Sequence, residues 1–218
     1  GRLMDMHRQG ALKLANISVL VLDEFDRMLD MGFVKEIESM TAAMRQRAQT
    51  MLFSATLDNS QKEIIRKLVP EAVQLRISSG QSAGDNIEQH VIKVTDDEDK
   101  FTMLLDMLQK PDFEKVILFA ETKRLVDRLS KKLGKNGVSS VIIHGDKSQN
   151  YRTRSIRNFK EGRSRVLVAT DVAARGIDID NVSHVINYQL PQTMESYLHR
   201  IGRTGRAGNT GAAYTFVG

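Results

Sequence analysis

The chain has 218 residues, of which 41% are hydrophobic and 27% charged, with a net charge of +5 and no cysteine. The lack of cysteine excludes disulfide bonds and cysteine-ligated zinc, and no stretch approaches the roughly 18 apolar residues of a membrane span. The first ten residues lack the apolar region of a signal peptide, so we expect a cytoplasmic globular protein.

Apolar runs and amphipathic stretches alternate in the first part of the chain. Strands are predicted at Val19–Glu24, Met51–Thr56 and Val73–Ile77, and helices at about Val34–Met44 and Ser60–Leu68. The strand segments are almost continuously apolar, which is typical of strands buried on both faces in a parallel sheet.

A stretch rich in Gly, Ser and Asp, ISSGQSAGDN, interrupts this pattern. It is either a linker or a long surface loop within one domain, and the full strand–helix pattern that restarts after it favours the linker. We therefore predict a first unit over residues 1–77, a linker over 78–86 and a second unit over 87–218.

The second unit repeats the alternation through the runs HVIKV, VILFA, VIIHG, VLVAT, HVINY and AAYTFV, with helices between most of them. The predicted fold class is α/β with two parallel-sheet units, the first incomplete and the second nearly complete. Ligands bind beyond the carboxyl ends of strands in such sheets. The loops after Leu22, Phe53, Leu118 and Val168 are therefore candidate sites.

Polar motifs follow both strands that carry candidate loops in the first unit. Asp23 and Glu24 could hold Mg²⁺ through water and activate a water molecule for attack on a phosphoryl group, or could simply complement a helix dipole. Ser54 and Thr56 could cap the next helix or form hydrogen bonds with the acidic motif.

Two phosphate-binding candidates lie in the second unit. VLVATDVAARGID, residues 166–178, combines small residues with Thr170 and Arg175, which allows close approach to a phosphate, although a tight turn with a surface Arg is the alternative. HRIGRTGR, residues 199–206, spaces three arginines with glycines, which suits arginine fingers better than a solvated helix face.

Together these motifs resemble those of the DEAD-box RNA helicases of the second helicase superfamily, especially bacterial members. DEFD resembles motif II, SAT motif III, VILFAET motif IV, Gln149 to Arg152 the Q-x-x-R element, VATDVAARGID motif V and HRIGRTGR motif VI. They stand in the family's order, Gly1-Arg2 resembles the end of its T-P-G-R element, and the resemblance covers the whole chain. It implies two RecA-like lobes that bind ATP, Mg²⁺ and RNA.

The resemblance also implies a role for each matching residue. Asp23 would position Mg²⁺, Glu24 would act on the attacking water, and Asp178 would contact the ribose or that water. The implied arginine fingers are Arg203 and Arg206; the implied coupling residues between the lobes are Asp26, Ser54, Thr56 and His199; and the implied RNA-facing positions are Arg2, Phe119, Gln149, Arg152, Thr170 and Gly176.

Two departures from the family pattern stand out. Phe25 replaces the usual Ala of motif II, and we expect the surrounding pocket to have repacked around the ring. No G-x-x-x-x-G-K-[ST] phosphate loop occurs in the chain. We therefore expect a fragment of a longer protein that hydrolyses almost no ATP by itself.

Three functions remain open at this stage. The first is an ATP-driven RNA duplex-opening enzyme, with this chain as part of its core. The second is an RNA-binding module without catalysis, and the third is a DNA helicase or remodeller of the same superfamily.

Overall fold

The computed structural model describes residues 1–55, 57–76, 86–174, 177, 179, 182–205 and 209–218, with Ser60 described by its backbone alone. The chain divides into two compact units, residues 1–77 and 78–218. The predicted linker lies outside the described residues except for Asn86, so its boundaries stay a prediction. None of the helices in the described ranges is long and apolar enough to cross a membrane.

The described part of the first unit contains two strands and several short helices. In chain order they are α1 (Arg2–Arg8), a 3₁₀ turn (Leu14–Asn16), β1 (Val19–Leu22), α2 (Phe25–Asp30), α3 (Val34–Ala43), β2 (Gln49–Leu52) and α4 (Asn59–Leu68). The two strands pair in parallel with Val19 opposite Gln49 and Leu22 opposite Leu52.

The second unit is a six-stranded parallel sheet with helices on both faces. Its elements are β3 (Ile87–Lys93), α5 (Asp97–Gln109), β4 (Val116–Phe119), α6 (Lys123–Lys135), β5 (Ser140–Ile143), α7 (Gln149–Lys160), β6 (Val166–Ala169), α8 (Asp171–Ala174), β7 (His184–Asn187), α9 (Met194–Ile201) and β8 (Gly211–Val217). The strand order is β3-β8-β7-β4-β6-β5, and every pairing is parallel. The α/β fold class is thus confirmed.

Two apolar cores sandwich this sheet. Leu118 of β4 packs in the cluster that includes Phe101 of α5 and Leu129 of α6. Its neighbour Ile117 packs in the cluster on the other face with Phe159 of α7. All four residues of β4, β6 and β7 are buried, which is the two-sided burial that the apolar runs predicted.

Four helices of the second unit begin at capping residues that lie three to six positions after the end of the preceding strand. The side chains of Asp96, Thr122, Ser148 and Thr193 each accept a hydrogen bond from a backbone N–H in the first turn of α5, α6, α7 and α9. Such a cap stabilises a helix by about 1 kcal/mol. The caps therefore fix where each loop at the strand ends stops.

The predictions for the first unit were wrong in three respects. The strand predicted at Met51–Thr56 forms over Gln49–Leu52 instead. No strand forms over residues 73–76, where Val73 and Leu75 are 87% and 83% exposed, because no described strand lies beside them to pair with. In β1, Leu20 and Leu22 are buried but Val19 and Val21 are about half exposed. Only one face of this strand is covered, so its apolar run is not buried on both sides.

Candidate functional site

In the first unit, two candidate loops are joined at the carboxyl ends of β1 and β2. The Phe53 N–H donates to the Leu22 carbonyl (2.8 Å), and the Phe25 N–H donates to the Phe53 carbonyl (2.9 Å). These two bonds continue the parallel ladder beyond the strands. They hold the DEFD segment beside the SAT segment.

Asp26 makes the closest link between these segments. Its side chain is 2% exposed, and its carboxylate accepts hydrogen bonds from the N–H groups of Ala55 (3.1 Å) and Arg27 (3.0 Å). The Asp26 N–H donates to the Ser54 hydroxyl (3.2 Å). Asp26 and Ser54, two of the predicted coupling residues, are therefore in direct contact.

Asp23 and Glu24 precede Asp26 in the DEFD segment, and both are exposed. The Glu24 N–H donates to Oδ1 of Asp23 (2.9 Å). Glu24 has φ 50° and ψ 49°, and among the described residues other than glycine it alone has a positive φ. A side chain in this left-handed conformation costs about 1–2 kcal/mol, and such strain tends to occur at functional positions.

The acidic pair offers limited ligation for a cation. The described residues contain no group of three His, Cys, Asp or Glu side chains arranged to hold a metal ion. Mg²⁺ prefers oxygen ligands and keeps several waters. The role of Asp23 as a Mg²⁺ ligand through water stays a prediction from the sequence.

Phe25 points away from the exposed acids. Its ring is fully buried in the apolar cluster of the first unit, with Leu20, Leu22 and Ile37. The bulky third residue of DEFD is thus accommodated by the core.

In the second unit, Arg200 is the centre of a buried polar network that sequence analysis missed. Its guanidinium is 4% exposed and forms two bonds to the Asp171 carboxylate, Nε to Oδ1 (2.6 Å) and Nη2 to Oδ2 (2.7 Å). Nη1 donates to Oδ1 of Asn187 (3.1 Å) and to the Gln189 carbonyl (3.2 Å). The Arg200 guanidinium also lies 5.2 Å from the centre of the Phe119 ring.

This network joins four elements at one end of the sheet. Arg200 belongs to α9, Asp171 to α8, Asn187 to β7, and Phe119 to β4. The sequence signal was an Arg directly after His199 and an Asp directly after Thr170, but the two residues are 29 positions apart. Only the fold reveals that they form one ion pair.

His199 and Arg203 flank this network. Nη1 of Arg203 donates to the Ile177 carbonyl (3.0 Å), and Nδ1 of His199 is 3.7 Å from the Glu195 carboxylate. The two side chains line one shallow hollow together with Phe119, Asp171, Ala174, Ser196 and Arg200. Motifs V and VI therefore meet at this hollow.

Glycines shape the segment after α9. The helix ends at Ile201, and Gly202 forms its C-cap. Gly205 has φ +66°, and a β-carbon there would lie 2.6 Å from Cγ1 of Ile87. The backbone of residue 205 therefore lies so close to the start of β3 that a side chain is excluded there.

The loop that leads into α7 is fixed by a charged cluster. Oδ1 of Asp127 contacts Nε2 of His144 (3.2 Å) and Nζ of Lys147 (3.1 Å), and Lys123 pairs with Asp146 (2.7 Å). Burial alone would raise the pKa of the Asp127 carboxyl, but hydrogen bonds from Lys147 and His144 lower it overall. These contacts set the position at which Ser148 starts the helix that carries Gln149 and Arg152.

The predicted RNA-facing residues differ in exposure. Arg2 in α1 and Gln149 in α7 are exposed, whereas Thr170 and Phe119 are buried. Because the Phe119 ring is covered, a ligand at this strand end would meet the backbone or the next residues instead. Nη2 of Arg152 donates to the Ala173 carbonyl (3.1 Å), and its buried Nε has no hydrogen-bond partner in the described structure.

Five of the predicted site residues lie outside the described residues. They are Thr56, Arg175, Gly176, Asp178 and Arg206. Their roles stay predictions from the sequence.

Comparisons with known proteins agree with the motifs. The sequence profile described as "DEAD/DEAH box helicase" matches residues 1–64, and the one described as "Helicase conserved C-terminal domain" matches residues 99–208. The chain is 44% identical over its whole length to the DEAD-box ATP-dependent RNA helicase CshA of Geobacillus kaustophilus, and 45% identical to CshA of Bacillus subtilis. It spans 46% and 44% of these relatives, so it corresponds to less than half of their length.

A solved structure shares the fold along almost the whole chain. Dbp5 of S. cerevisiae, bound to RNA and ADP BeF3, matches 99% of this chain with a TM-score of 0.85 and 37% identity. The chain covers 57% of that protein.

Proposed function

Because the chain belongs to the DEAD-box family of helicases, we propose that the protein that carries it is an ATP-dependent RNA helicase. ATP hydrolysis, stimulated by RNA, would be coupled to local opening of an RNA duplex. The observation that carries this proposal is the meeting of motifs V and VI through the Arg200–Asp171 pair. The 44% identity to CshA supports it.

We assign the chemistry of hydrolysis to the acidic pair and the arginines. Asp23 would hold Mg²⁺ through water, Glu24 would orient or deprotonate the attacking water, and Asp178 would contact the ribose or that water. Arg203 and Arg206 would stabilise charge on the γ-phosphate as arginine fingers. Removal of such a finger typically lowers the rate by 10³-fold or more.

We assign coupling and RNA binding to the remaining motif residues. Asp26, Ser54, Thr56 and His199 would link the nucleotide to the RNA. Arg2, Gln149, Arg152, Thr170, Gly176 and the strand end at Phe119 would face the RNA backbone. Backbone contacts of this kind do not select a sequence but can sense the 2′-hydroxyl groups of RNA.

Two further assignments follow from the same proposal. The protein acts in the cytoplasm, and its partners are RNA and ATP. The 218 residues alone contain no G-x-x-x-x-G-K-[ST] sequence, so the isolated chain should act as an RNA-binding module with almost no ATP hydrolysis.

The test measures ATP hydrolysis by the full-length product of the gene, with and without single-stranded RNA, alongside Glu24→Gln. We expect stimulation by RNA in the wild type and loss of it in the variant. Equal stimulation by DNA of the same sequence would favour a DNA helicase or remodeller instead. The isolated chain, measured in parallel, should bind RNA in a salt-sensitive way without hydrolysis.

A further inference from the structure

The positive charge of this protein is concentrated in one segment. Residues 122–165, all of which the structure describes, contain thirteen Lys and Arg but only three Asp and Glu. The other 174 residues contain nineteen Lys and Arg against twenty-four Asp and Glu. The net charge of +5 therefore arises entirely from this segment, which contains α6, β5 and α7.

Four of these cations form a stripe on α6. Arg124, Arg128, Lys131 and Lys135 recur at positions i, i+4, i+7 and i+11, which lie along one side of a helix over about 16 Å. All four are exposed. The side of α6 against the sheet is apolar and buried, and comprises Leu125, Val126, Leu129 and Leu133. We call these four cations the α6 stripe.

The acidic residues of the segment do not neutralise the α6 stripe. Asp127 contacts His144 and Lys147, Asp146 pairs with Lys123, and Glu161 pairs with Arg163. Within the described residues, none of the four stripe cations has a carboxylate at ion-pair distance. Their charge is thus available to an anionic partner.

The α6 stripe begins at the edge of the sheet where the RNA-facing motifs lie. The Thr122 side chain caps α6 three residues after β4 ends at Phe119. From that point α6 runs away from the strand ends for 13 residues, or about 20 Å. An RNA strand that leaves the strand ends past β4 would meet the stripe cations one after another.

We propose that the α6 stripe binds the phosphate backbone of RNA that flanks the segment held at the strand ends. This inference rests on the proposed function and extends it, because it assigns a second RNA surface that no motif of the sequence marks. Contacts from these Arg and Lys side chains to phosphates would be ionic and independent of sequence. The stripe would hold the enzyme on long or structured RNA.

The test compares wild-type full-length protein with the stripe variant Arg128→Gln/Lys131→Gln/Lys135→Gln. Gln keeps a long side chain with good helix propensity, and Arg124 is left intact because it lies next to motif IV. The matched control is Lys67→Gln/Lys93→Gln/Lys110→Gln, which removes the same charge from exposed positions elsewhere. Affinity is measured at several salt concentrations for a series of single-stranded RNAs of increasing length.

We expect the affinity of the wild type and of the control variant to increase with RNA length. Relative to the wild type, the stripe variant should have about tenfold lower affinity for the longest RNA and the same affinity for the shortest. Its salt slope should fall by about 2, because each phosphate contact on a single strand contributes about 0.7. The ATPase rate at saturating short RNA should be unchanged.

Several outcomes would overturn the inference without touching the proposed function. Unchanged binding of long RNA by the stripe variant would do so, and so would an equal loss of affinity in the control variant. A third such outcome is that polyglutamate displaces long RNA from the wild-type protein as effectively as competitor RNA does, which would indicate an acidic protein partner. A wild-type protein that binds no RNA at all, with no RNA-stimulated hydrolysis, would instead refute the proposed function itself.

Discussion

The two units build parallel sheets from similar apolar runs, but they bury them differently. VLVL in β1 alternates between exposed and buried residues, whereas VILF in β4, VLVA in β6 and HVIN in β7 are buried throughout. The central strands of the second unit have a strand on each side and helices on both faces. Among the described residues, β1 has one partner strand and a core on one face.

This difference shows what an apolar run encodes. Alternate residues of a strand point to opposite faces, so a run such as VLVL can fill two layers but requires both to be present. In the first unit Leu20 and Leu22 reach a core, and Val19 and Val21 face outward. The same sequence pattern thus predicts burial only where neighbouring elements supply the other side.

The largest effect is expected when one buried side chain of β4 is truncated and compared with a truncation in β1. Leu118→Ala removes a fully buried side chain from β4 and should destabilise the second unit by about 2–5 kcal/mol. In the isolated 218-residue chain, Val21→Ala, at a half-exposed position of β1, should change stability by about 0.5 kcal/mol or less. Similar costs at both positions would contradict the one-sided burial of β1.

Spectroscopy can follow the two units separately. All four tyrosines, at positions 151, 188, 197 and 214, lie in the second unit, and the chain has no tryptophan. Urea unfolding detected by tyrosine fluorescence therefore reports on the second unit. Hydrogen exchange resolved by mass spectrometry reports on peptides of the first.

Each unit also links two motifs through a buried charged side chain. The Asp26 carboxylate accepts hydrogen bonds from the backbone N–H groups of Arg27 and Ala55, and Arg200 forms a two-bond ion pair with Asp171. Arg200→Ala would leave Asp171 without its guanidinium partner. Breaking a buried pair in this way costs about 3–5 kcal/mol, and the lower end applies because the Asp171 side chain remains 28% exposed.

We therefore expect Arg200→Ala to destabilise the second unit by about 3 kcal/mol and to abolish RNA-stimulated hydrolysis. Arg163→Ala is the matched control, since it removes an exposed pair with Glu161 and should cost less than about 1 kcal/mol. Equal stability of the two variants in urea unfolding would mean that the buried pair does not hold motifs V and VI together.

The sequence predicted what depends on local pattern and missed what depends on distant partners. The strands of the second unit and the position of motifs at strand ends follow from the runs of apolar residues, whereas His199–Ile201, predicted to suit a loop, belong to α9. The short helices α1, α2 and α8 were missed because each is seven residues or fewer, too short for a helical period to appear. The Arg200–Asp171–Asn187 network was missed because its members are far apart in sequence.

A smaller effect concerns backbone strain, which is found in the first unit. Glu24→Gly should relieve the left-handed conformation and stabilise that unit by up to about 1 kcal/mol, while it removes the proposed water-activating carboxylate. Glu38→Gly, in an exposed turn of α3, should instead destabilise by about 1 kcal/mol. Destabilisation by both glycines, measured by hydrogen exchange, would show that Glu24 is not strained.

The smallest predicted effect is a pH dependence that belongs to the second unit alone. His184 is buried beneath the Phe113 ring, whose centre is 3.8 Å away, with Tyr214 at 5.9 Å and the Ser183 hydroxyl 2.9 Å from Nδ1. Burial lowers the pKa of the His184 imidazole, and the nearby Asp112 carboxylate opposes this only in part.

His184 is therefore neutral in the folded state at a pH where it would take up a proton in the unfolded chain. Its contribution to stability is complete above the unfolded pKa of about 6.5 and is lost as the pH falls through the lowered folded value. His184→Gln should reduce stability at pH 7, because the ring stack is lost, but should flatten the dependence below pH 6.5. His7→Gln removes a histidine from the first unit and should leave the pH dependence of stability, as detected by tyrosine fluorescence, unchanged. If stability still falls with pH below 6.5 in His184→Gln, another group is responsible for the pH sensitivity.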